Sequence, residues 1–142
     1  MQNKKPAEAK ALLDLSEGWK YLDVRSVEEF GAGHPVGAWN VPIFQRGPQG
    51  MTPNDDFVAV VAKTFAKDTK LVVGCASGPR SVRACELLAA AGYKDLVNVE
   101  GGFMGGRDEY GRAIPGWASS GLPVEASAPP ERSYAHLARA KS

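Results

Sequence analysis

The stretch Val72 to Ser81, VVGCASGPRS, sets a cysteine at the end of a short apolar run. Ala76, Ser77, Gly78, Pro79, Arg80 and Ser81 follow it. A cysteine kept for packing alone belongs inside a strand or on a helix face. Here the run 70–74 reads as a strand covered on both faces, and Pro79 suits the first turn of a helix. Cys75 therefore stands between a strand end and a helix N-terminus. The free amides of a first helical turn, and cationic groups nearby, favour thiolate over thiol. Gly78 lets the backbone curl without a side chain, and successive inward amides make a nest for an anion. Arg80 supplies a planar fork of donors, and Ser77 and Ser81 supply hydroxyls. The chemistry implied is a nucleophilic thiolate inside an anion cup formed by residues 76–81.

Other reactive residues weigh less. Cys85 shares a helical stripe with Val82 and Leu88 and reads as core. Two cysteines with His34 and His136 fit no zinc spacing, so no metal is expected. Asp23 and Arg25 end the first clear strand near the predicted ligand face. A structural ion pair, for example Arg25 with Glu29, is favoured over direct catalysis. Arg46 lies in a polar loop and either attracts an anion or is simply solvated. Phe103 lines the pocket or belongs to the core. His34 is tempting as a base but reads as structural. GGFMGG (101–106) places Phe103 where a dinucleotide fingerprint needs glycine, so no such cofactor is expected.

These residues need a frame. Residues 6–17 carry apolar positions at helical spacing, stopped by Gly18. Strands are expected at 20–24 and within 37–42. A short helix over 26–30 is capped by Ser26, with Glu29 completing a capping box. A Gly- and Pro-rich loop fills 45–53. Asn54 is expected to cap a helix in which Phe57, Val61 and Phe65 recur. The helix begun by Pro79 ends at Gly92, and a further strand covers 95–99. Alternating strands and helices predict an α/β fold, with a central parallel sheet of about five strands and helices on both faces. Ligands of such sheets bind beyond the carboxyl ends of the strands, where Cys75 lies. Residues 1–123 are expected to form one domain. The tail 124–142, rich in Ala, Pro and Ser, is expected to be loose, although YAHLARA could make a helical turn or two.

The chain has 142 residues and a formal net charge of +1, which gives no bulk attraction to nucleic acid or an acidic membrane. No apolar run nears the ~20 residues that span a bilayer. A charged N-terminus without an apolar segment behind it gives no secretory signal, and sparse cysteines suggest a reducing, cytoplasmic setting.

The residues YLDVRSVEEFGAGHPVGAWNVP (21–42), GCASGPRS (74–81), VEGGF (99–103) and WASSGLP (117–123) together resemble the rhodanese family. The likeness runs over about residues 6–123 and is greatest to small single-domain thiosulfate sulfurtransferases. It implies that the Cys75 thiolate takes the outer sulfur of thiosulfate, releases sulfite and holds a persulfide. Cyanide, a small thiol or a thioredoxin-like acceptor then removes that sulfur, without metal or organic cofactor. It also implies that Asp23 and Arg25 buttress the cysteine loop; for Arg46 the anion drawn in would be the sulfonate of thiosulfate, with simple solvation the alternative.

Loop length separates this from related phosphatases and arsenate reductases, which resemble the family but place five residues between cysteine and arginine. Here only Ala76, Ser77, Gly78 and Pro79 intervene, a tighter cup suited to one sulfur atom. Arg80 stands where mercaptopyruvate enzymes, with CGSGVT, carry threonine. A persulfide carrier that delivers sulfur to a partner protein without turnover is the alternative. The chain departs from the family by an insertion within 104–116 bearing Arg107 and Arg112, expected near the active-site mouth.

Overall fold

The computed structural model describes residues 1–127 and 129–139. Five parallel strands form the central sheet, in spatial order Gln2–Lys4, Leu96–Val99, Leu71–Gly74, Lys20–Asp23 and Trp39–Asn40. Successive strand residues point to opposite faces, and both faces are apolar. Leu22, Leu71, Val73 and Leu96 face one core with the helices Phe57–Thr64, Pro79–Ala90 and Tyr134–Arg139. Tyr21, Val72 and Val97 face the other, with Ala9 of the helix Pro6–Asp14 and Phe30 of the helix Val27–Ala32. The expected α/β architecture is therefore the one observed. The capping box also forms as read: Ser26 Oγ accepts from Glu29 N at 3.2 Å, and Glu29 Oε1 from Ser26 N at 3.0 Å.

Two local expectations are corrected, and the 104–116 insertion gains a definite form. Residues 45–53 are no open loop: Phe44–Gly47 and Gly50–Pro53 pair antiparallel as a hairpin, with Gly47 opposite Gly50 closing the turn at Pro48 and Gln49. Within 104–116, Gly106–Arg107 pairs with Ala113–Ile114 in a second hairpin. Asn54 does not cap its helix, whose N-cap is Asp56. Asn54 Oδ1 accepts from Asp56 N at 3.1 Å, and Nδ2 donates to Pro42 O and Tyr134 Oη. This Asx turn satisfies the asparagine one step ahead of the helix.

The tail is more tied down than its composition suggests. Val124–Glu125 pairs antiparallel with His34–Pro35. Glu125 Oε1 accepts from His34 Nε2 and from Arg132 Nη2, each at 3.0 Å, and Arg132 Nη1 donates to Ala38 O. His34 is fully buried, donates Nδ1–H to Phe30 O and stacks on the Phe30 ring, which makes it a structural residue. Tyr134–Arg139 lays Leu137 into the core.

Leu137 is 4% exposed. Leu137→Ala should lower unfolding free energy by about 2–3 kcal/mol in urea titrations, as for a buried leucine. A change under about 0.5 kcal/mol would mean a tail that does not pack in solution.

Candidate active site

The sheet delivers Cys75 to its carboxyl edge, directly after Gly74. Gly74 pairs in register with Asp23, and a side chain at Gly74 would collide with the buried Tyr21 hydroxyl. After Cys75 the chain bends through Ala76, Ser77 and Gly78 into the helix Pro79–Ala90. Gly78 has φ +129°, a backbone region that side chains rarely enter. There its N–H donates to Cys75 Sγ at 3.0 Å. Cys75 Sγ also lies 3.4 Å from Ser81 Oγ, and the whole residue is 1% exposed. Ser81 Oγ is 2.9 Å from Gly78 O and 2.5 Å from Asn98 Oδ1.

The loop is held from behind by 102–104. Phe103 N donates to Cys75 O at 2.7 Å and Met104 N to Ala76 O at 2.8 Å. In a trans peptide N–H opposes C=O, so the amides of Ala76 and Ser77 point away from that segment. Gly102, at φ +57°, lies so close that a Cβ would stand 2.3 Å from Cys75 O. The second hairpin meets the loop at Gly106, whose Cβ position is 3.6 Å from Ser77 Cβ.

Asp23, Arg25 and Phe103 gather beneath the loop. Arg25 Nε and Nη2 bind the Asp23 carboxylate, the shortest contact being 2.7 Å, and Nη2 also donates to Gly33 O. The guanidinium lies 4.3 Å from the Phe103 ring centroid. Asn40 Nδ2 donates to the carbonyls of Asp23 and Arg25. The expected Arg25–Glu29 pair is thus replaced by Arg25–Asp23. Burial favours the partner two residues away, which needs no side chain to cross the surface.

Glu29 pairs with Arg80 instead. Arg80 Nη1 and Nη2 grip the two Glu29 oxygens at 2.8 and 3.0 Å. The fork expected in the anion cup is thereby engaged on a carboxylate. The Arg80 hydrogen bonds hold the Glu29 carboxyl down at about 2. Arg46 is exposed on the first hairpin, in a groove bordered by Ser26, Glu28, Pro42 and Phe44, and no loop residue lines that groove. Burial pushes the Cys85 thiol up to about 12, in keeping with a core residue. No group of three or more metal-ligating side chains occurs among the described residues.

Glu29, Asn98 and Gly102 were not singled out from sequence. Asn98 had a signal: it is the only polar residue within the strand Leu96–Val99. The sequence offers Glu29 as a cap and as a partner of Arg25, but not of Arg80, which lies 51 positions away.

A family model described as a rhodanese-like domain matches residues 5–109. Thiosulfate sulfurtransferase 16, chloroplastic, of Arabidopsis thaliana is 40% identical over 112 residues, covering 79% of this chain and 84% of that protein. Thiosulfate sulfurtransferase 18 of the same plant is 41% identical over 100 residues, covering 69% and 72%. Other relatives are longer, and the chain spans 53% of two of them. The crystal structure of Rv0390 from M. tuberculosis superposes with a TM-score of 0.73 at 28% identity, over 88% of this chain and 97% of that one.

Because the Glu29 carboxyl is depressed in the fold, its pair with Arg80 stabilises above the unfolded carboxylate range and loses that effect as pH falls from about 4.5 toward 2. Glutamine keeps the capping box but not the charge. Urea titrations of Glu29→Gln should therefore show a deficit against the parent chain that is constant from about pH 7 to 5 and gone near pH 2. A deficit independent of pH would assign Glu29 no working ion pair.

Proposed function

The chain belongs to the rhodanese-like domain family, and from that premise we propose that it is a thiosulfate sulfurtransferase working through Cys75. The observation that carries this reading is the Gly78 N–H directed at Cys75 Sγ at 3.0 Å, at a strand end that opens a helix. Residues 1–123 are taken as one catalytic domain, on which the tail is seated as far as Arg139. The Cys75 thiolate attacks the outer sulfur of thiosulfate. A sulfur–sulfur bond forms on Cys75, the donor's sulfur–sulfur bond breaks, and sulfite leaves with its electron pair. The persulfide anion inherits the Gly78 N–H and the Ser81 hydroxyl. Cyanide or a thiol, including that of a thioredoxin-like protein, then attacks the outer sulfur and returns the Cys75 thiolate. Ala76, Ser77 and Pro79 shape the cup. Arg80 contributes by releasing part of its hold on Glu29 to the incoming sulfonate, and Arg46 by long-range attraction. Asp23, Arg25 and Phe103 keep the loop in place. Four residues between Cys75 and Arg80 support sulfur over phosphate or arsenate chemistry. No metal or organic cofactor takes part in this cycle. A working thiolate needs a reducing compartment, and the cytoplasm is proposed. No helix among the described residues is long and apolar enough to cross a membrane.

A second reading has its own observation. The Arg80 fork is bidentate on Glu29, which leaves less positive charge for a small dianion than a free arginine would. A carrier that accepts sulfur from a protein donor and passes it on has no need of that charge.

Steady-state thiocyanate formation from thiosulfate and cyanide separates the two. The enzyme reading expects many turnovers, parallel double-reciprocal lines, and complete loss in Cys75→Ser. At most one thiocyanate per chain would leave the carrier reading, and undiminished turnover in Cys75→Ser would end both.

A further inference from the structure

Ser81 has one hydroxyl proton, yet its oxygen lies within hydrogen-bonding reach of three acceptors: Cys75 Sγ, Gly78 O and Asn98 Oδ1. Beyond Asn98 the contacts continue, since Asn98 Nδ2 donates to Asn3 Oδ1 at 3.0 Å on the neighbouring strand. Asn98 is buried and Asn3 is exposed at the sheet edge. The directions form a single file. The Cys75 thiol donates to Ser81, Ser81 to Asn98, and Asn98 to Asn3.

A carboxamide presents an acceptor on one side and donors on the other, so turning it over exchanges them without moving its heavy-atom frame. The same frame therefore supports the reverse file: Asn3 donates to Asn98, Asn98 to the Ser81 oxygen, and Ser81 to an anionic sulfur. The first file suits a thiol and the second a thiolate or persulfide anion. Either way, every buried member has a partner, as buried polar groups require.

We propose that Ser81, Asn98 and Asn3 form a reversible hydrogen-bond relay that follows the charge of Cys75, with Asn98 as its positioning residue. When Cys75 loses its proton to water, S–H is the only covalent bond broken. The Ser81 hydroxyl then rotates onto the sulfur and the two carboxamides turn over behind it. The anion gains the Ser81 O–H beside the Gly78 N–H. An acceptor-only residue in place of either asparagine blocks the reverse file and holds Cys75 as thiol. The relay rests on the reading of Cys75 as the reacting atom, but its test needs no sulfur donor.

The test is the pH dependence of Cys75 alkylation by iodoacetamide, followed by the mass of the Cys75 peptide after digestion, which separates it from Cys85. Arg80 with Glu29, Arg25 with Asp23, Tyr21 and Cys85 surround the loop and are unchanged throughout. Asn98→Asp should move the alkylation midpoint up by at least about one pH unit, roughly tenfold less reaction below it. A bare charge acts with or without the Ser81 hydroxyl, whereas the relay acts through it. In a Ser81→Ala background the further effect of Asn98→Asp should thus shrink to a small fraction. Asn3→Asp, at an exposed position that spares folding, should give a smaller upward shift with the same dependence on Ser81. Shifts that persist in the Ser81→Ala background, or no shift from Asn3→Asp and Asn98→Asp, would overturn the relay. If alkylation behaves as expected while thiosulfate leaves no sulfur on Cys75, the proposed substrate fails and the relay stands.

Discussion

Everything at the carboxyl edge of the sheet depends on the close backbone approach of residues 102–104 to the cysteine loop. A four-residue bend between strand and helix has no hydrogen bonds of its own for its first carbonyls. Phe103 and Met104 supply them, at 2.7 and 2.8 Å. Because trans peptides oppose N–H to C=O, capturing the carbonyls on one side turns the matching amides to the other. Gly102 makes that approach possible, since a Cβ there would occupy the space of the Cys75 carbonyl. The amides of Ala76 and Ser77 thus face away from residues 102–104, and the proposed anion cup rests on that orientation.

Behind this backbone contact stands a series of satisfied ion pairs. The buried Asp23–Arg25 pair is costly to desolvate, but Asp23 also accepts from the Arg25 backbone and Arg25 donates to Gly33 O and lies against Phe103. Such additional bonds are what a buried pair needs. A Cβ added at Gly33 would meet both Phe103, at 3.7 Å, and Val124, at 3.8 Å, so the tail strand and the residues behind the cysteine loop border the same space. His34, Glu125 and Arg132 fasten the tail at that place. The support of the cysteine loop thus extends from Gly102, three residues past the strand Leu96–Val99, to the tail strand Val124–Glu125.

Local and periodic features were legible in the sequence. The apolar runs at 70–74 and 95–99 have the length and β-branched content of buried strands, and the Ser26–Glu29 box is a contact of three residues' separation. The placement of Cys75 between a strand end and a helix start is legible because its signals, the apolar run and Pro79, are contiguous. What escaped were contacts between distant positions. Arg80 was read as a free fork because nothing local shows that Glu29 awaits it on another helix. The 45–53 hairpin is hidden because Gly47, Pro48, Gly50 and Pro53, residues typical of loops, stand at its turn and in its strands. The tail reads as loose because Ala, Pro and Ser hide Glu125, Arg132 and Leu137, which dock it.

The central claim is that Cys75 carries sulfur. Intact-protein mass after incubation with thiosulfate, with and without later cyanide, tests it most directly. The account predicts a gain of one sulfur atom, about 32 Da, that cyanide removes and that Cys75→Ser never acquires. A fully reduced chain that gains no sulfur from thiosulfate would contradict thiosulfate as donor, and one that gains it in Cys75→Ser would contradict Cys75 as the site.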